Sequence, residues 1–274
     1  MTSMYDPTPS NAPDHPARYE AGGGVATITL NRPETLNAMN GPLMWAVRAG
    51  LIAANNDPDV RVVILTGAGR GFSSGGDLKA GGASLGEGPP EARISVLRML
   101  MQTSQMLREM PKITIAAING ACAGAGLSWA CAADLRYAGE SAKFLSAFGT
   151  AGLSGDFGGT WTLPRIVGPA KARELYLLGD IIDAQEALRL HLVSGVFPDD
   201  ELMDRVRGIA QRLHDRAPVA LRGIKRNLND GDRVSFSELL DLEADRHVRS
   251  GESEDQKEAV AAFFERRTPH FKNR

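Results

Sequence analysis

Along the first two-thirds of the chain, short apolar β-branched runs alternate with amphipathic stretches; beyond that only helical spacing remains. From Arg18, a short strand, the turn Gly22-Gly23-Gly24 and the run Val25–Leu30 predict a hairpin, closed by Asn31-Arg32-Pro33. Asn40-Gly41-Pro42 predicts a helix start, with Asn40 as N-cap and Pro42 in the first turn, running to about Asn55. Arg61–Thr66 predicts a strand that leads into a Gly-rich turn over 67–77. Residues 80–90, Gly-rich with two prolines, predict a mobile surface loop, and Pro90 to Met110 a helix. A second strand over Lys112–Ile118, bounded by Pro111, feeds a turn carrying Gly120, Gly124 and Gly126. The small and apolar run Leu127–Ala133 then predicts a buried helix. The order strand, Gly-rich turn, helix thus occurs around 62–79 and again around 113–134. Short strands are expected at Asp134–Ala138 and Lys143–Leu145. Helices are expected at 158–167, 169–178, 184–191, 199–215, 217–227, 235–249 and 252–265, with Leu175, Leu177, Leu178, Leu188, Leu190 and Val193 as apolar faces. Residues 1–17, holding four of the fifteen prolines, predict a flexible tail.

Composition narrows the classes. A chain of 274 residues, 43% hydrophobic, can bury a sizeable core, and its longest apolar run is far too short to cross a bilayer. A net charge of −2 argues against broad binding to nucleic acid or to anionic membrane. Cys122 and Cys131, nine apart in apolar surroundings, are expected as buried small hydrophobes in a reducing compartment. With no His beside them they cannot form a zinc site. No basic-then-apolar leader pattern is present, so a soluble, cytoplasmic protein is the expectation.

Three chemistries compete for the Gly-rich stretches. Gly67-x-Gly69 follows a strand, as in dinucleotide sites, but Phe72 stands where the third glycine belongs and no helix opens there. Gly82-Ala83-Ser84-Leu85-Gly86 matches the serine-hydrolase elbow without its strand and helix, and is accidental, as is the kinase-like triplet Asp156-Phe157-Gly158. Read together, the two turns could each aim one backbone N–H at a single carbonyl oxygen, or they could be ordinary tight turns. A strand and Gly-rich turn ending at a helix N-terminus presents free N–H groups and the positive end of a dipole.

Several segments carry a resemblance to one family, in its order along residues 18–272. They are Leu30-Asn-Arg-Pro33 with Leu36-Asn37-Ala38, Leu65-Thr-Gly-Ala-Gly-Arg-Gly-Phe72 with Ser73-Ser-Gly-Gly-Asp-Leu-Lys79, and Ala117-Ile-Asn-Gly120. Gly158-Gly159-Thr160, Leu163-Pro164-Arg165 and Phe263-Phe-Glu-Arg-Arg-Thr-Pro269 complete the set. On these the chain resembles the crotonase (enoyl-CoA hydratase/isomerase) superfamily and, within it, the ring-1,2-epoxyphenylacetyl-CoA isomerase group. The group likeness rests on Ser141-Ala-Lys-Phe144, Ala147-Phe148 and the run Asp156 to Arg165.

The resemblance implies an α/β fold: a crotonase-type ββα spiral core over 18–200 and a C-terminal α-helical trimerisation region over 201–274. It implies an acyl-CoA thioester substrate, no cofactor beyond the coenzyme A of that substrate, and a homotrimer or hexamer built as a dimer of trimers. The thioester carbonyl would take hydrogen bonds from the backbone N–H groups of Gly76 and Ala125. Gly76, Asp77, Leu78, Lys79, Ala125, Ala38, Ser128 and Phe148 would line the substrate groove. Hydratases of the family use two glutamates, and here their places hold Ser128 and Phe148. Neither can move a proton well. One carboxylate remains nearby, Asp156, at a position where isomerases of the family carry a proton-transferring acid. The expectation is therefore double-bond isomerisation by a single Asp base, with hydration, or acyl-CoA binding without chemistry, as alternatives.

Overall fold

The structure, a computed structural model, describes residues 8–80, 85–86 and 88–274. Residues 81–84 and 87, which include most of the Gly82–Gly86 motif and part of the 80–90 loop, lie outside the described residues. The hairpin forms as β1 (Ala17–Gly22) and β2 (Val25–Leu30), followed by α1 (Gly41–Asn56), β3 (Val62–Gly67) and β4 (Gly71–Ser73). The Asn40 side chain caps α1 by accepting the Leu43 N–H at 3.0 Å. Then come α2 (Pro90–Leu100), α3 (Gln102–Glu109), β5 (Ile113–Ile118), β6 (Ala121–Ala123) and α4 (Ala125–Ala132). After β7 (Leu135–Gly139) and β8 (Lys143–Leu145) follow α5 (Gly159–Val167), α6 (Pro169–Leu178), β9 (Ile182–Asp183), α7 (Ala184–Arg189) and β10 (Val196–Phe197). Four helices end the chain: α8 (Leu202–His214), α9 (Pro218–Gly231), α10 (Phe236–Gly251) and α11 (Glu254–Glu265).

Two sheets organise these elements. The larger has the order β1-β2-β3-β5-β7-β10, parallel throughout except for the β1–β2 hairpin. Its central strands are buried on both faces, which is why β3 and β5 read as unbroken apolar runs. Side-chain alternation divides them: Val63, Leu65, Ala116 and Ile118 join the main core with α1 and α4. Val62, Ile64, Ile115 and Ala117 pack against Leu202, Val206 and Ala210 of α8. Of the smaller sheet, β4-β6-β8-β9, only β8 was expected from the sequence. Its strands have two or three residues each, too few to show a period. It matters most for the site, because β4 and β6 run parallel with Gly71 opposite Ala121 and Ser73 opposite Cys122. The two Gly-rich turns therefore leave the sheet side by side.

Three expectations need correction. The helix expected from Pro90 to Met110 divides at Met101 into α2 and α3. There the Thr103 hydroxyl donates to the Leu100 carbonyl at 2.8 Å and accepts the indole N–H of the buried Trp129 at 2.9 Å, competing with the helical ladder. Leu177 and Leu178 are 80% and 68% exposed, since α6 turns Ala172, Leu175 and Tyr176 inward instead. Residues 10–16 of the Pro-rich tail are tied down: Ser10 accepts the Tyr19 N–H, and Asn31 donates to the carbonyls of Pro13 and His15. Cys122 and Cys131 are buried free thiols, and burial holds both above their ordinary range, Cys131 at about 11. Among the described residues no helix is long and apolar enough to cross a membrane.

Candidate active site

The first turn is held by the segment after Arg32. Gly75 accepts the Met39 N–H at 2.7 Å, and Met39 accepts the Asp77 N–H at 3.0 Å. These two bonds straddle Gly76, whose own N–H has no partner among the described residues. Gly76 is exposed, and a Cβ there would meet nothing within 4 Å, so the N–H stands beside open space. Asp77 makes a half-buried ion pair: Arg32 donates to its Oδ2 at 2.8 Å and to the Ala38 carbonyl at 2.6 Å. Asp77 is thereby a brace between the turn and the buried Ala38, with its carboxylate engaged. Leu78 and Lys79 continue the turn as an exposed 3₁₀ segment.

The second turn ends at Gly124, whose φ of 51° and ψ of −122° suit glycine alone. Ala125 opens α4, so its N–H has no helical acceptor and no other partner among the described residues. The Gly124 carbonyl accepts the Ser128 N–H at 3.1 Å and the Ser128 hydroxyl at 3.4 Å. The two turns touch. A Cβ at Gly75, where φ is 90°, would lie 2.9 Å from the Ala123 carbonyl oxygen and 3.5 Å from Gly124 Cα. The start of α4 packs as closely on β4, since a Cβ at Gly126 would lie 2.7 Å from that of Ser73.

Asp156 sits in the loop before α5, between residues with left-handed backbone, Gly155 at φ 101° and Phe157 at φ 49°. A phenylalanine in this region costs on the order of 1–3 kcal/mol. The wall holds it there: the Phe157 ring is buried, its edge against Trp129 of α4 at 5.6 Å and 82°. With Phe157 turned inward, the half-buried Asp156 is left with one carboxylate oxygen, Oδ1, buried and without a partner among the described residues. Burial pushes its pKa up to about 6.

Around it lie the two residues in the glutamate places. Phe148 has its ring tip 3.9 Å from where a Gly124 Cβ would stand, and stacks on Tyr176 of α6 at 6.1 Å and 11°. Ser128 is fully buried, and its hydroxyl faces that of Tyr176 across Gly159. Both hydroxyls would lie 2.3 Å from a Cβ at Gly159, so only glycine fits there. Burial raises the Tyr176 pKa, and the nearby Asp156 charge raises it further. The structure thus brings Gly76, Ala125, Ser128, Phe148 and Asp156 to one region, with Ala38 and Asp77 behind the first turn. Tyr176 was missed by sequence reasoning because Leu175-Tyr-Leu-Leu reads as an apolar helical stripe. A single hydroxyl inside such a run was the available signal.

The raised Asp156 pKa has a consequence for stability. A carboxyl with folded pKa above its unfolded value keeps its proton in the native state while the unfolded chain has lost it. Its contribution is most favourable below about pH 4 and is lost as pH rises through about 6. Asp156→Asn is therefore expected to raise stability at pH 7.5 by on the order of 1–2 kcal/mol, and much less at pH 4. Thermal unfolding of both proteins at the two pH values checks this.

Relatives with known names agree with this architecture. The enoyl-CoA hydratase/isomerase family matches residues 20–274. The chain is 38% identical over 248 residues to a 1,2-epoxyphenylacetyl-CoA isomerase of Escherichia coli, covering 90% of this chain and 95% of that one. It is 34% identical over 248 residues to a crotonyl-CoA hydratase of Syntrophomonas wolfei, covering 90% and 94%. The crystal structure of an enoyl-CoA hydratase from Polaromonas superposes with a TM-score of 0.88 at 36% identity, covering 93% of this chain and 99% of that one. The fold and these likenesses define an enzyme of the crotonase superfamily. The chain belongs to the enoyl-CoA hydratase/isomerase family, whose members act on CoA thioesters.

Proposed function

We propose that this enzyme isomerises the double bond of an enoyl-CoA, with Asp156 as its single proton carrier. The observation that carries the reading is one buried carboxylate of raised pKa in a site where Ser128 and Phe148 replace the glutamate pair. The thioester oxygen lies between the N–H groups of Gly76 and Ala125, and the dipole of α4 adds to the second. With charge on that oxygen stabilised, the Asp156 carboxylate removes a proton from C2 of a 3-enoyl-CoA. The C2–H pair becomes part of a dienolate, its negative charge resting on the oxygen. The carboxylic acid then returns the proton to C4, the carbonyl re-forms, and the double bond stands between C2 and C3. One residue suffices because the proton leaves and returns through the same group. A pKa of about 6 suits both halves, giving a carboxylate at neutral pH and an acid strong enough to reprotonate.

Gly76, Asp77, Leu78, Lys79, Ala125, Ala38, Ser128 and Phe148 form the walls of this acyl-CoA groove in the proposal, Asp77 through its brace on the turn. The exposed Phe236, Leu240, Phe263 and Phe264 on α10 and α11 support self-association through the C-terminal helices, as a trimer or dimer of trimers in a soluble, cytoplasmic enzyme. The test is incubation with a 3-enoyl-CoA in D₂O and mass analysis of the product. A conjugated 2-enoyl-CoA is expected, its deuterium content reporting how far the proton held by Asp156 exchanges with solvent. A 3-hydroxyacyl-CoA as the main product would replace isomerisation by hydration.

A further inference from the structure

The Gly124–Ala125 peptide unit carries the proposed oxyanion donor at one end and a doubly engaged carbonyl at the other. Ser128, at the fourth residue of α4, returns its hydroxyl to the Gly124 carbonyl at 3.4 Å, beside its own N–H at 3.1 Å. With the Ser128 proton directed to that carbonyl, its oxygen is free to accept, and the Tyr176 O–H, converging on the same point beside Gly159, is placed to donate to it. Tyr176 is held in place by its stack on Phe148, and Gly159 leaves room for both oxygens. The result is a chain from α6 through α4 to the peptide that ends in Ala125 N–H. Hydrogen bonds in series polarise one another, and a peptide carbonyl that accepts more strongly makes its own N–H a stronger donor.

We propose that Tyr176 is a positioning residue, which acts through Ser128 and the Gly124 carbonyl to orient and strengthen the Ala125 N–H as an oxyanion donor. The inference rests on the proposed role of Ala125. Tyr176 touches no reacting atom in this arrangement, and its effect appears where charge develops on the thioester oxygen. Tyr176→Phe removes the hydroxyl and keeps the ring that stacks on Phe148, and Ser128→Ala removes the next link. Each is expected to lower kcat by about 5–30-fold with little change in KM, less than the ~10²–10³-fold cost of losing a donor outright. The double variant should be no slower than the worse single variant, since both break one chain.

The deciding readout is the infrared stretch of hexanoyl-CoA, labelled with carbon-13 at the thioester carbonyl and bound at saturation. Wild type and Asp156→Asn should show the same lowering of the carbonyl frequency relative to the free ligand, and Tyr176→Phe and Ser128→Ala a smaller one. A wild-type protein that leaves the frequency unchanged would overturn the oxyanion reading itself. A wild-type lowering that Tyr176→Phe retains in full would overturn only the relay, as would single-variant losses in kcat that multiply in the double variant. Thermal midpoints recorded alongside separate a folding defect from a lost hydrogen bond: loss of shift only in a protein that melts below the assay temperature counts against the relay.

Discussion

Asp156→Asn is expected to bring isomerisation of a 3-enoyl-CoA down by at least the ~10²–10⁴-fold that a positioned general base supplies. Burial moves both Asp156 and the neighbouring Tyr176 upward in pKa, and Tyr176 lies far above Asp156. At neutral pH that leaves the carboxylate as base. An amide has the same shape and cannot carry the proton, so acyl-CoA binding should survive while turnover does not. The wild-type rate should also fall on the acid side with a limb near pH 6, where the carboxyl gains its proton, in place of the limb near pH 4 of an ordinary aspartate. Progress curves across pH for both proteins test the two statements together. Near-normal turnover by the asparagine variant would remove Asp156 from the mechanism.

Ala125→Pro is expected to be the second severe change. Proline at the first position of a helix is tolerated, because the N–H it lacks has no helical acceptor and its fixed φ suits that site. The backbone course into α4 should therefore persist, with the ring replacing the proposed donor. Loss of one such donor typically costs 10²–10³-fold in kcat, about 2.7–4 kcal/mol of barrier. Single-turnover kinetics with circular dichroism as the folding control would check it. A folded variant of near wild-type rate would remove the Ala125 N–H from the reaction.

What could be seen in the sequence follows element length. Long, strongly patterned segments were legible: β2, β3, β5 and the N-cap of α1 at Asn40 fall where periodicity and capping chemistry place them. Of the elements of two or three residues only β8 was expected, so β4, β6, β9 and β10 went unseen, and with them the sheet that sets the turns side by side. The same limit affected the site. Gly76, Ala125 and Asp156 were placed by motif, because they lie in contiguous stretches. Tyr176 and Arg32 come from elsewhere in the chain and act through contacts no local pattern records. The left-handed backbone at Ala147 and Phe157 was equally invisible, since nothing in those residue types asks for it. At Phe157 it goes with a ring buried against Trp129.

The ladder between β4 and β6 separates what can vary from what cannot. Main-chain hydrogen bonds, with Gly71 facing Ala121 and Ser73 facing Cys122, fix the spacing of the turns without consulting any side chain at 128, 148, 156 or 176. Those four positions decorate a strand pairing that forms without them. In a lineage built on such a frame, substitutions can exchange one proton-handling scheme for another while the place where the carbonyl docks is inherited unchanged.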